Sequence, residues 1–386
     1  MLNMFLFLAG VFLLTFLLGR LVEKIRVPWI FTALIIGVVL SISNPFQEIT
    51  SSQSFIFLAQ LGMYFLLFII GFELDVNELL KQSKFIFTAT FFIILFEAFF
   101  GSLLVHFIFG CNWLISIIIA LSFATVGEAV LVPILDEFKM VNSKLGQSII
   151  GIGMIDDLVE ITMLVAVAFL IGEKTAIPHE SLGIIVMSLA ALFLLAFGLK
   201  KLSRTGKKFA YSSIETLFLV VIFLFFLFLG VGSYAEATAL GALLAGVSLK
   251  AFVPEQRLCL IEDEIKALCY GFFAPIFFLW VGSSVSFKYI VDYPLLVFLV
   301  VIVSSIAKLL GTVIIGAKHL GLKQAITAGI GLSVRFSTSI VVVKLLYEFR
   351  IISIKLYSIL IASSIVFILL IPVLFSNLLV KWNFKK

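Results

Sequence analysis

Apolar runs of about 20 residues, the length an α-helix needs to cross a bilayer, follow one another along this chain from end to end. Thirteen such stretches can be marked, over roughly 2–19, 27–43, 54–72, 85–109, 112–135, 145–171, 182–199, 214–231, 234–252, 265–287, 290–316, 323–346 and 356–380, joined by short polar connections, and no segment remains for a water-soluble domain. With 62% hydrophobic and 13% charged residues, the chain carries more apolar surface than a soluble core can hide. The expected fold class is therefore an all-α polytopic membrane protein of about 13 transmembrane helices. The first apolar run, Leu2 to Gly19, has its basic residues Arg20, Lys24 and Arg26 behind it. It reads as a retained helix and not as a signal peptide.

Cys111, Cys259 and Cys269 show no paired spacing, and His106, His179 and His319 are scattered. No protein-bound metal or redox cofactor and no enzymatic constellation is expected. Basic residues in alternating connections give the orientation, because Lys and Arg are retained on the cytoplasmic side. One set of connections, including the C-terminus, holds twenty of them, and the other set holds four: Lys174, Lys288, Arg350 and Lys355. This imbalance predicts an external N-terminus, a cytoplasmic C-terminus and an odd number of spans in a cytoplasmic membrane. The net charge of +5 then follows from topology, and no nucleic-acid partner is inferred from it.

Two spans carry small and polar residues where an unbroken helix would place apolar ones. The span over 112–135 is interrupted near Thr125, Val126, Gly127 and Glu128, and the span over 323–346 near Gly331, Leu332, Ser333, Val334 and Arg335. They lie seven helices apart, so the second runs opposite to the first across the membrane. Inverted repeats with two crossed broken helices at the midplane are expected.

Few ionisable residues remain at membrane depth once the loops are set aside: Asp156, Asp157, Glu160, Glu128, Lys308 and Arg335, with Glu97 on the fourth span as a further candidate. Each strong case costs about 2.5–3.5 kcal/mol to insert, which makes it a functional candidate by default. Asp156 and Asp157 are adjacent near the middle of their span, and two carboxylates in a low dielectric cannot both ionise cheaply. Protons and a hard monovalent cation then compete for the same oxygens. A pair that merely bridges helices is the plainer alternative. Glu160 shares their helix face and either extends an acidic path or lines its entrance. Lys308 is expected roughly 12 Å deep, either partly snorkelling or serving as the counter-ion of Asp156. Glu128 and Arg335 are expected to neutralise the half-helix dipoles, with a direct ion pair between them as one arrangement. Ser122 and Thr125 offer neutral oxygens, as ligands or as donors to their own helix.

The run Ser122-Phe-Ala-Thr-Val-Gly-Glu-Ala-Val-Leu-Val-Pro-Ile-Leu-Asp-Glu-Phe138, followed by Leu145-Gly146 and Ile155-Asp-Asp157, resembles the sodium/proton exchanger domain of the cation/proton antiporter superfamily, in its paired-aspartate branch. Ala274-Pro-Ile-Phe-Phe-Leu-Trp-Val-Gly282 and Gly331-Leu-Ser-Val-Arg335 look like two further family segments. The resemblance implies Asp157 as the principal Na⁺ carboxylate and Asp156 as the partner of a lysine, for which Lys308 matches. It also implies a homodimer and an elevator-like movement. The organisation that follows is scaffold over 1–83 and 213–287, core over 84–172 and 288–386, and a linker helix with a basic loop over 173–212. Glu128 departs from the small or hydroxyl residue that many relatives carry beside the break.

The function expected is exchange of Na⁺ or Li⁺ for H⁺, electrogenic through the lysine. A K⁺/H⁺ antiporter with the same site is the nearest rival. The lack of a nucleotide-binding regulatory tail after Lys386 tilts the expectation toward sodium. A passive cation channel fits less well, because acids and base converge within one chain instead of forming a ring between subunits. A transport-dead scaffold or sensor fits poorly with intact Asp156, Asp157 and Lys308.

Overall fold

Backbone amides and carbonyls at membrane depth must find partners inside the protein, so helices are the expected elements and helix ends are the costly places. The computed structural model describes residues 3–24, 27–73, 83–153, 155–156, 163, 167, 180–201, 213–234, 237–253, 255–335 and 337–382. Within them the main elements are α1 (Met4–Glu23), α2 (Phe31–Leu40), α3 (Gln53–Glu73), α4 (Lys84–Phe109) and the two halves α5a (Trp113–Ala124) and α5b (Glu128–Glu137). They continue with α6 (described over 144–156 apart from 154), α7 (Glu180–Lys201), α8 (Ile214–Ser233) and α9 (Thr238–Phe252). Helix α10 runs as Glu255–Leu268, a π-helical turn Cys269–Phe273 and Ala274–Ser283. Then come α11 (Pro294–Leu320), the halves α12a (Leu322–Gly331) and α12b (Ser337–Glu348), and α13 (Ile354–Trp382).

Seven described helices are long and apolar enough to cross a membrane, and four further apolar helices are shorter. Helix starts are closed locally: Asn3, Ser83, Asn112 and Ser213 each accept a backbone N–H of the first turn through the side chain. Helix α4 ends on Gly110, whose φ of 68° is the left-handed conformation that suits glycine. Several boundaries differ from expectation, and three of them bear on packing or on the site. Helix α2 occupies 31–40 instead of 27–43, because the chain turns at Pro28 and Ser41 Oγ closes the far end on Val38 O at 2.7 Å. Helix α10 starts at Glu255 instead of 265, because its charged opening is amphipathic. Ile261 and Ile265 are buried while Lys266 bridges Glu262 and Glu73 at 2.7 Å each. Helix α11 runs four residues further than expected, to Leu320.

The chain divides into two compact units: Met1–Thr50, Asp75–Met163 and Phe278–Lys386 form the first, and Ser51–Leu74 with Leu164–Phe277 form the second. In the first, α4 lies along α11 and α5a, α11 along α12a and α13, and the end of α10 crosses α2. In the second, α3, α7 and α8 surround α9, and Ser188 on α7 donates to Val231 O on α8 at 2.5 Å. Each unit has one crossing where two glycines bring backbones together. A Cβ on Gly37 would stand 2.4 Å from Leu279 O, and one on Gly282 2.3 Å from Leu34 O. In the second unit, Gly71 would meet Leu243 O and Gly246 would meet Phe68 O, both at 2.1 Å. Gly246 on α9 stands seven helices after Gly37 on α2, and Gly282 on α10 seven after Gly71 on α3. This is the offset of the two broken helices, so the inverted repeat extends to the close crossings.

These crossings give a stability prediction. Gly71→Ala and Gly246→Ala force backbone apart and should each cost about 1–3 kcal/mol, lowering the thermal midpoint of the purified protein. Gly198, with nothing within 4 Å of its added Cβ, is the control, and Gly198→Ala should leave the midpoint unchanged or slightly raised.

Candidate ion-binding site

A broken helix presents two ends: carbonyls with partial negative charge where the first half stops, and amides with partial positive charge where the second half begins. Between α5a and α5b the backbone is extended at Thr125 (φ −59°, ψ 147°) and opens at Gly127 (φ −84°, ψ 72°). The break in α12 lies opposite. Gly127 N–H donates to Val334 O at 3.1 Å, so the two interruptions are hydrogen-bonded to each other, and the expected crossing of broken helices is present.

Charged side chains complete the ends according to sign. Lys308 on α11 is fully buried, and its Nζ donates to Leu332 O at 2.6 Å and Thr125 O at 3.1 Å, one carbonyl from each break. Arg335, also fully buried, donates from Nη1 to Thr125 O at 3.3 Å. On the amide side, Asp156 of α6 is 2% exposed and its Oδ2 accepts Val126 N–H at 2.6 Å. A carboxylate therefore stands at the positive start of α5b, while two cations stand at the negative ends of α5a and α12a.

The guanidinium has a second commitment. Arg335 Nη2 forms an ion pair with Glu97 Oε1 on α4 at 3.1 Å and donates to Ser304 Oγ on α11, which in turn donates to the same Glu97 oxygen. The Phe367 ring lies 4.7 Å from the guanidinium carbon. An Arg335–Glu128 pair was one arrangement read from the sequence; the partner seen among the described residues is Glu97, between three and four helical turns into α4. Glu128 opens α5b, but its side chain lies outside the described residues, as do Asp157 and Glu160 entirely. Ser122 and Thr125 are at the site, where their hydroxyls donate to Ile119 O at 2.6 Å and Ser122 O at 3.1 Å. Their hydrogens are spent on their own helix and their oxygens remain as acceptors.

Lys308 does not snorkel. Since α11 continues to Leu320, the lysine sits roughly 18 Å from that end at about 1.5 Å per residue, deeper than the sequence suggested. One intramembrane charge was missing from the sequence reading altogether. Lys344 on α12b is fully buried, with Nζ 3.7 Å from the Trp280 ring centroid, 2.8 Å from Ser284 Oγ and 2.7 Å from Glu348 Oε1. It lies two residues inside the expected end of the 323–346 span and is in neither the loop set nor the set of charges at membrane depth. The signal that finds it is its pairing with Glu348 four residues on, together with Trp280 in the 274–282 segment.

Comparison with known proteins places this geometry. Residues 10–381 match the family model described as sodium/hydrogen exchanger, transmembrane. The chain belongs to the sodium/hydrogen exchanger family. Among curated members, it is 26% identical to a Na(+)/H(+) antiporter of Enterococcus hirae, over 85% of this chain and 84% of that one. It is also 26% identical to a probable Na(+)/H(+) antiporter of Methanocaldococcus jannaschii, over 96% and 95% respectively. The solved structure of the sodium proton antiporter MjNhaP1 from the latter organism superposes with a TM-score of 0.61 at 18% identity, covering 98% of this chain and 96% of that one, a likeness of fold. In this exchanger, then, the family resemblance seen in the sequence segments holds across nearly the whole chain.

The joint between the breaks generates a test. Lys308→Met keeps much of the side-chain volume but leaves the Thr125 and Leu332 carbonyls without this donor, and should lower stability by about 3 kcal/mol. The thermal midpoint of the purified variant measures it; an unchanged midpoint would show that the lysine does not hold the breaks together.

Proposed function

We propose that this exchanger is a secondary antiporter that trades Na⁺ or Li⁺ for H⁺ at Asp156 and Asp157. The observation that carries the reading is the buried Asp156 carboxylate, held on Val126 N–H at the start of a half-helix, with buried Lys308 on the carbonyls of both breaks. A dehydrated alkali cation needs anionic oxygens, and so does a proton. Where both draw on one carboxylate pair inside the membrane, loading one requires releasing the other.

Asp157 follows Asp156 directly and is assigned as the principal cation ligand, with Asp156 and the oxygens of Thr125 and Ser122 completing the site. Lys308 exchanges its ammonium between the backbone carbonyls and Asp156. With the cation absent it neutralises Asp156, and with the cation present it retires to Thr125 O and Leu332 O. If Lys308 carries one of the transported protons, two protons cross for each Na⁺, and the exchange moves net charge and is electrogenic. Arg335 holds the α12 break in register, and Glu128 and Glu160 act as supporting acids on the path. The twenty-to-four distribution of basic residues supports an external N-terminus and a cytoplasmic C-terminus in the cytoplasmic membrane. Scaffold helices over 1–83 and 213–287 and a core over 84–172 and 288–386 give a homodimer in which the core moves as an elevator.

Proteoliposomes with an acidic interior test the proposal: Na⁺, Li⁺ or K⁺ is added outside and internal pH is followed with and without a clamp on membrane potential. Alkalinisation by Na⁺ and Li⁺, altered by the clamp and lost in Asp157→Asn, is the expected result. A response to K⁺ alone would replace the sodium reading by a potassium one, and no response to any cation would overturn the antiport reading.

A further inference from the structure

Glu97 is 1% exposed, deep in α4, and its two oxygens are treated very differently. Oε1 takes both the Arg335 guanidinium and the Ser304 hydroxyl, whereas Oε2 is buried with no hydrogen-bond partner among the described residues. A carboxylate removed from water has to satisfy both oxygens or carry a proton on one. Glu97 also lines a small cavity of about 20 Å³ between α4, α5a, α11 and α13, whose other walls are apolar apart from Ser304 and include Leu104, Ile119, Val300 and Leu360. That is room for about one water, which needs the carboxyl and the Ser304 hydroxyl as its polar anchors.

We infer that Glu97 is a second proton-binding residue of this transporter, separate from the aspartate pair, which takes its proton on Oε2 at the cavity and reports it to the cation site through Arg335. The coupling runs through contacts already described. Ionised Glu97 neutralises Arg335, and Arg335 also holds Thr125 O, the carbonyl directly before the Val126 N–H that binds Asp156. Protonation of Glu97 removes that neutralising charge. The full guanidinium charge then faces the breaks, where it opposes a second cation at the aspartates. The charged groups bearing on Glu97 are Arg335 from α12 and Lys308 from α11, with Asp156 of α6 beyond them. The α5a and α13 residues lining the cavity, Ile119, Ala120 and Leu360, bring no charge. Acid therefore weakens cation binding twice, by direct competition at the aspartates and by discharge of Glu97. The inference rests on the antiport reading for its functional consequence, but not for the protonation itself.

Two measurements test it. Infrared difference spectra of the purified protein across a pH titration should show a protonated-carboxyl stretching band that Asp157→Asn retains and Glu97→Gln removes. This needs no transport, so it stands or falls separately from the antiport reading. In proteoliposomes, Glu97→Gln should raise the KM for Na⁺ about tenfold at alkaline pH and leave it near wild type at acidic pH, flattening its pH dependence. Ser304→Ala, which keeps the charge and takes one donor from Glu97, should move the midpoint of that dependence to higher pH and covers the case in which Glu97→Gln fails to fold. A band indifferent to residue 97, a KM shift equal at every pH, or an unmoved midpoint in Ser304→Ala would overturn the inference.

Discussion

Inside a bilayer there is no water to complete a broken helix, so each interruption of α5 and α12 demands donors and acceptors from the protein itself. The carbonyls at Thr125 and Leu332 take Lys308, Thr125 also takes Arg335, and the amides of Val126 and Gly127 take Asp156 and Val334 O. Lys308 meets both breaks at once, and this makes it the joint on which the centre of the first unit depends. The remaining features follow from the same demand. Arg335 brings Glu97 as its counter-charge, and Gly311 lets α11 approach Ile93 of α4 closely enough for Ser304 to reach between them.

On the antiport proposal, satisfying the ends and binding an ion are the same arrangement viewed from two sides. Half-helix ends are dipoles of fixed position, and they hold the acid and the bases where the two halves of the repeat meet. The Thr125 and Leu332 carbonyls take the lysine and the Val126 amide takes Asp156, so each of the two charges has a backbone partner of its own. On the antiport proposal, this is what lets a proton and a cation alternate at Asp156. A rigid, exclusive Lys308–Asp156 pair would satisfy both charges and leave nothing for a substrate to do.

The location of the breaks was legible in the sequence because polar and small residues at Thr125–Glu128 and Gly331–Arg335 cannot continue an apolar span cheaply. The paired aspartates and Lys308 stood out for the same reason, as charges with a cost. What the sequence could not show was which charge meets which: Arg335 and Glu97 are far apart in the chain, and only the packing of α4 against α11 and α12 joins them. Lys344 belonged to neither the loop set nor the membrane charges, and only the packing of Trp280, Ser284 and Glu348 around it shows it buried. Likewise the opening of α10 looked like a loop by charge, although Ile261, Ile265 and the Glu262–Lys266 pair give it one buried and one solvated face.

The central claim is that one buried carboxylate pair holds either protons or a cation, and proton release on cation binding tests it most directly. Na⁺ added to the purified protein in lightly buffered detergent solution should acidify the medium, as should Li⁺, with the release lost when Asp156 and Asp157 are both replaced by Asn. Cation binding without proton release at any pH from about 6 to 9, or equal release from the double variant, would contradict it.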